Sequence, residues 1–148
     1  MIMELIEDDI QLYRGIGVSF YQDEDLVSKY HIVENGSYED CVNDTYNKII
    51  EASKDLPLQW YLLRSENREL IGFCVISKAY NFLYSFGINK RHRTNYNLTI
   101  WFVGVAGLLQ NNFVCGLWAK NSRAIDFLCK NGMEIFKKEE NITHLKYN

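Results

Sequence analysis

Proline is almost absent from this chain: there is one in 148 residues, with nine glycines. So little of either excludes a proline-rich linker, a collagen-like rod and a low-complexity tail. Positive charge is not in excess. Sixteen Lys and Arg face nineteen Asp and Glu, a formal net charge of -3, so no global positive field recruits nucleic acid. No apolar stretch reaches the roughly 20 residues that span a bilayer. The longest runs from Leu98 to Leu109 and is broken by Thr99 and by glycines. The opening Met-Ile-Met-Glu-Leu-Ile lacks a basic region and a long apolar run, so no secretory signal is expected. Cys-x-x-Cys is missing, and His31, His92 and His144 lie far apart, which predicts no metal site. Gly-x-Ser-x-Gly and Walker loops are also missing. Of four cysteines, Cys74, Cys115 and Cys129 have apolar neighbours and read as buried free thiols of a reducing compartment. These absences predict a soluble, cytoplasmic protein of a bacterial or phage-infected bacterial cell.

What is present is the composition of a folded domain: 47% hydrophobic, 24% charged and 14% aromatic. A single domain over residues 1–148 is expected, with a sizeable core. Ile2–Ile6 is a strand candidate, and Asp8 or Asp9 offers a cap for a helix through Phe20. The piece from Leu26 to Val33 is ambiguous, and Asn35-Gly36 breaks the chain. Ser37 caps a second helix, with Cys41, Val42, Tyr46, Ile49, Ile50 and Ala52 at helical spacing, ended by Leu56-Pro57. The period then switches to two. Gln59–Arg64, Leu70–Ile76 and Leu83–Ile88 read as an antiparallel meander. A helix from Leu98 to Gln110, a strand from Phe113 to Ala119, a helix from Ser122 to Lys130 and one or two strands between Glu134 and Tyr147 complete the chain. A meander followed by β-α-β-α-β predicts an α+β fold, an α/β sandwich. Its sheet is mixed and mostly antiparallel, with helices on both faces.

Asn121-Ser122-Arg123-Ala124-Ile125 begins the last helix, and Gly132 closes it. This stretch resembles the late Asn-x-x-Ala-Ile motif of the GNAT superfamily of acyl-CoA-dependent N-acetyltransferases. The element order is similar to that family's over nearly the whole chain. The resemblance implies a gap between two parallel strands that accepts acetyl-CoA. Backbone at Phe86 and Ile88 would hold the pantetheine arm. Arg93, Thr94 and Asn95 at the next helix start would hold the pyrophosphate, because unpaired amides and the helix dipole favour an anion there. Asn121 would lie near the thioester. A small amine or protein amino group would be the acceptor, with a base to take its proton and an acid for the leaving thiolate.

The sequence departs from the family pattern in three places. In Arg93-Thr94-Asn95-Tyr96-Asn97-Leu98, Tyr96 and Leu98 stand where the phosphate loop carries glycine or alanine. Tyr96 is expected to crowd the pyrophosphate. Lys90, Arg91 and Arg93 read either as a residual anion site or as a solvated basic loop. Leu128 stands where the family often has an acidic tyrosine. Its neighbour Cys129 is a candidate donor or a packing residue. The strand from Asn81 to Ile88 has no carboxylate for a base, leaving Tyr84 or Ser85 to relay a proton through water or to serve as ordinary strand residues. Trp60, Trp101 and Trp118 read as core, and Gln22-Asp23-Glu24-Asp25 either as an attraction for a cationic amine or as a solvated loop.

Leu98–Leu109 is apolar all round, which is unusual for a helix on one face of a sheet. This chain has few elements to cover it, so the helix is expected to join an oligomer or larger assembly, with Gly104 and Gly107 allowing close approach. Two functional readings therefore stand: an acetyl-CoA-dependent N-acyltransferase with weak or lost catalysis, and a non-catalytic structural or assembly protein, such as a bacteriophage protein, on the same fold.

Overall fold

A computed structural model describes residues 1–21, 23 and 37–148. The ambiguous piece 26–33, the Asn35-Gly36 break and His31 lie outside the described residues, as does the acidic run except for Asp23. The elements follow the expected order: β1 (Ile2–Ile6), α1 (Asp9–Phe20), α2 (Tyr38–Ser53), β2 (Gln59–Arg64), β3 (Leu70–Ser77), β4 (Phe82–Ile88), α3 (Asn95–Leu108), β5 (Val114–Trp118), α4 (Ser122–Lys130), β6 (Met133–Lys138) and β7 (Ile142–Tyr147).

Side chains set the helix starts. Asp8 accepts a bond from the Ile10 amide at 2.8 Å. Ser37 and Asp40 form a reciprocal capping box at the head of α2. α3 begins at Asn95, a turn earlier than its apolar run, because the Thr94 hydroxyl accepts from the Asn97 amide at 3.1 Å. The apolar pattern marks the part of a helix that is buried, whereas the cap marks where it starts. After α4, Gly132 takes φ +102°, the left-handed conformation that a glycine permits.

The described strands form one sheet in the order β1-β2-β3-β4-β5-β7-β6. Every pairing is antiparallel except β4 with β5. β3 is buried along nearly its whole length, since both faces are covered. Its side chains alternate between two cores. Phe73 and Val75 pack with Leu12, Ile16, Val42 and Ile49 of α1 and α2. Cys74 and Ile76 pack with Trp101, Phe102 and Val105 of α3 and with Leu128 of α4.

Several expectations are corrected by this packing. Cys129 is exposed and Cys41 is buried, because on α4 it is Ile125 and Leu128 that face the sheet and Cys129 lies one helical step away. Burial drives the Cys74 thiol strongly upward and the Cys115 thiol up to about 12, so both stay protonated. Trp101 is core, but Trp60 and Trp118 are only partly buried. Asp23 is buried, not solvated. In α3, Trp101, Phe102 and Val105 are buried within the chain, and a Cβ on Gly104 would lie 2.7 Å from Met3 Sδ. Gly104 thus makes room for Met3 of β1.

Candidate functional site

β4 and β5 are hydrogen-bonded at only two register positions, Phe82 with Val114 and Leu83 with Cys115. Beyond them the strands part. On its other edge β4 carries a bulge. Val75 pairs with Ser85 and Ile76 with Leu83, leaving Tyr84 as the extra residue, which bends the strand at the point of separation. The Asn89 amide bonds to Ile71 on β3 at 2.6 Å. By strand alternation, the main-chain groups of Phe86 and Ile88 then point the other way, into the gap.

Two cavities meet at this gap and share Phe86, Gly87 and Asn121. The first, about 400 Å³, opens on the α3/α4 side; of the residues that the resemblance implies, Phe86, Ile88, Arg93 and Asn121 line it, together with Leu98. Lys90, Arg123 and Asp23 also line it. Thr94 and Asn95 do not; Thr94 is occupied in capping α3. Tyr96, expected to crowd an anion here, is 67% exposed and is not part of the wall. Its place on the first turn of α3 turns its ring to solvent.

Arg93 is held in place rather than extended into the cavity. Its Nε donates to the Ile88 carbonyl at 2.6 Å, Nη2 donates to the Ser19 carbonyl at 3.4 Å, and Nη1 bonds the buried carboxylate of Asp23. The Ile88 carbonyl is therefore taken, leaving its N–H and both groups of Phe86 for a ligand amide. Asn121 caps α4, its carbonyl oxygen 3.4 Å from the Ala124 amide. A pantetheine-like chain fits this geometry: an open strand edge, a cavity of the size that takes small ligands, and the head of α4 at Asn121 with Lys90 and Arg123 on the wall.

The second cavity, about 350 Å³, opens on the α1/α2 side and takes in Tyr84 and Ser85. Burial raises the Tyr84 phenol, so it stays protonated at neutral pH and suits a donor rather than a base. Its hydroxyl lies 3.5 Å from the Lys48 carbonyl. The other wall carries Asp44, Lys48 and Trp118, none of them singled out as site residues in the sequence. The only signal available was the Asp44–Lys48 spacing of four, which is common on any helix. Leu128 is fully buried, and the exposed Cys129 lines neither cavity. Cys129 is thus not brought together with Tyr84 and Ser85.

No family model and no curated protein sequence matches the chain. Solved structures do. PaiA N-acetyltransferase from Thermoplasma acidophilum, determined in complex with coenzyme A, superposes with a TM-score of 0.67 at 15% identity, covering 100% of this chain and 99% of that one. YjaB from Escherichia coli, in its apo form, gives 0.64 at 13% identity, covering 99% and 98%. A variant of the spermidine N-acetyltransferase SpeG from Vibrio cholerae gives 0.58 at 13% identity, covering 99% and 94%. At these identities the likeness is one of fold. Mixed seven-stranded sheet, parted β4 and β5, and full-length superposition agree: this chain has the GNAT acyl-CoA N-acyltransferase fold.

Proposed function

We propose that the protein binds an acyl-CoA in the α3/α4-side cavity and is an N-acyltransferase of weak activity toward an amine entering from the α1/α2 side. The observation that carries this reading is the gap between β4 and β5, open to both faces of the sheet at Phe86, Gly87 and Asn121. Bound acyl-CoA supplies a thioester carbonyl for the amine to attack. Main chain at Phe86 and Ile88 orients the pantetheine amides, and Lys90 and Arg123 offset phosphate charge. Tyr84, protonated and on the wall of the acceptor-side cavity, would donate to the leaving thiolate across the gap once its hydroxyl leaves the Lys48 carbonyl. Activity is weak because β4 carries no carboxylate and Leu128 replaces an acid on α4. A cytoplasmic setting suits both the free thiols and the proposed cosubstrate.

Acetyl-CoA at a hundred times its dissociation constant adds about 2.7 kcal/mol of stability. For a domain of this size that raises the melting temperature by roughly 5–10 °C. No shift at millimolar acetyl-CoA would remove the acyltransferase reading.

The assembly reading retains one support. Val103, on the outer side of α3, is 65% exposed, and the space around Gly107 is open. If two copies pair through this face, sedimentation at micromolar concentration gives a dimer that Val103→Glu returns to monomer. A monomer of the unaltered chain ends that reading.

A further inference from the structure

Lys48 reaches from α2 across the mouth of the α1/α2-side cavity. Its ammonium lies 3.0 Å from Asp44 Oδ2 and 5.8 Å from the centre of the Trp118 ring. A carboxylate on one side and an aromatic face on the other form a recurring cradle for an organic ammonium. The two walls come from different elements, Asp44 from α2 and Trp118 from the end of β5, where the strands have already parted. Lys48 is not forced into the cradle by burial, since its side chain is 49% exposed. Asp44 is 30% exposed, and a helix pair at this spacing favours contact only about twofold, so another cation can displace Lys48. Phe20, Leu117 and Ile142 line the same cavity and offer an apolar bed for an alkyl stem.

We infer that Asp44 and Trp118 form a subsite for the ammonium of a primary alkylamine, and that Lys48 fills it from within until such an amine displaces it. This rests on the acyltransferase reading only in calling the cavity the acceptor side; the cradle itself is independent of acyl-CoA. In this arrangement Lys48 is an internal competitor. It lowers the affinity of every incoming amine in proportion to the time it occupies the subsite.

The test is calorimetric titration of n-butylammonium into the full chain without acyl-CoA. Lys48→Met keeps the stem and removes the charge, and is expected to bind the amine about threefold more tightly than the unaltered chain, as removal of a competitor that holds the subsite about two-thirds of the time requires. Adding Asp44→Asn in that background abolishes the gain. Adding Trp118→Leu weakens binding by about fivefold, whereas Trp118→Phe, which preserves a ring should the leucine variant unfold, retains most of it. 1-Butanol, the same stem without charge, shows no difference between the unaltered chain and Lys48→Met. Equal affinity in the unaltered chain and Lys48→Met overturns the inference, as does indifference to Asp44→Asn or no binding to any variant. Amine binding without an acetyl-CoA shift would retain the cradle and sink the acyltransferase reading. The reverse result would sink the cradle alone.

Discussion

Replacing Asp23 by alanine is expected to destabilise the protein by about 3–5 kcal/mol, the cost of removing one partner from a buried ion pair. Asp23 is 2% exposed and Arg93 is largely enclosed. Without the carboxylate, the guanidinium keeps its bonds to the Ile88 and Ser19 carbonyls. Its positive charge, only 26% exposed, then has no carboxylate to offset it among the bonds described for it. Arg93 ties the end of α1 to the end of β4 and the start of α3, so the loss falls on the wall of the candidate site. Chemical denaturation measures the effect as a lower midpoint with unchanged slope. Exchanging both partners, Asp23→Ala with Arg93→Met, is expected to recover much of the loss, because the penalty lies in the unpaired charge rather than in the absence of the pair. A loss below about 1 kcal/mol in the single variant would mean that the pair behaves as a solvated surface contact.

Gly72→Ala is expected to cost about 3 kcal/mol or more, at the upper end of overpacking. A Cβ there would lie 2.1 Å from the Gly87 carbonyl oxygen and 3.0 Å from Ile88 Cα. Both are backbone atoms, so no rotamer change relieves the clash. β3 and β4 must separate, and β4 is the strand whose free edge forms the gap. The variant should therefore lose stability and, if acyl-CoA binds as proposed, affinity together. Gly107→Ala is the control. Nothing lies within 4 Å of a Cβ at that position, and alanine in a helix gains about 0.5–1 kcal/mol over glycine. Thermal melts of the two variants should move in opposite directions.

Glycines 72, 87 and 104 illustrate how far the sequence could be read. Each looks alike in the chain, and only the neighbour in space decides what it does: Gly87 O for Gly72, Ser19 Oγ for Gly87, Met3 Sδ for Gly104. Gly104 was expected to allow close approach by another subunit, and what lies against it within the chain is Met3 of β1. The same holds for Tyr96 and Cys129. Their neighbours in sequence suggested a blocked anion site and a buried thiol, but helix rotation turned both side chains outward.

By itself the sequence determined the elements, their order and the fold class, because capping residues and hydrophobic periods are local and are enforced within a few residues. Of the residues that the family resemblance put at the gap, Phe86, Ile88, Arg93 and Asn121 line its α3/α4 side, whereas Thr94 and Asn95 do not. Tertiary structure alone decided how the charges are paired and what faces the second cavity. Asp23 meets Arg93 across 70 residues, and Trp118 meets Lys48 across an equal distance in the chain. Such contacts depend on how α1 and α2 lie over the parted strands. That placement comes from core packing, which leaves no periodic signal at the polar residues it brings together.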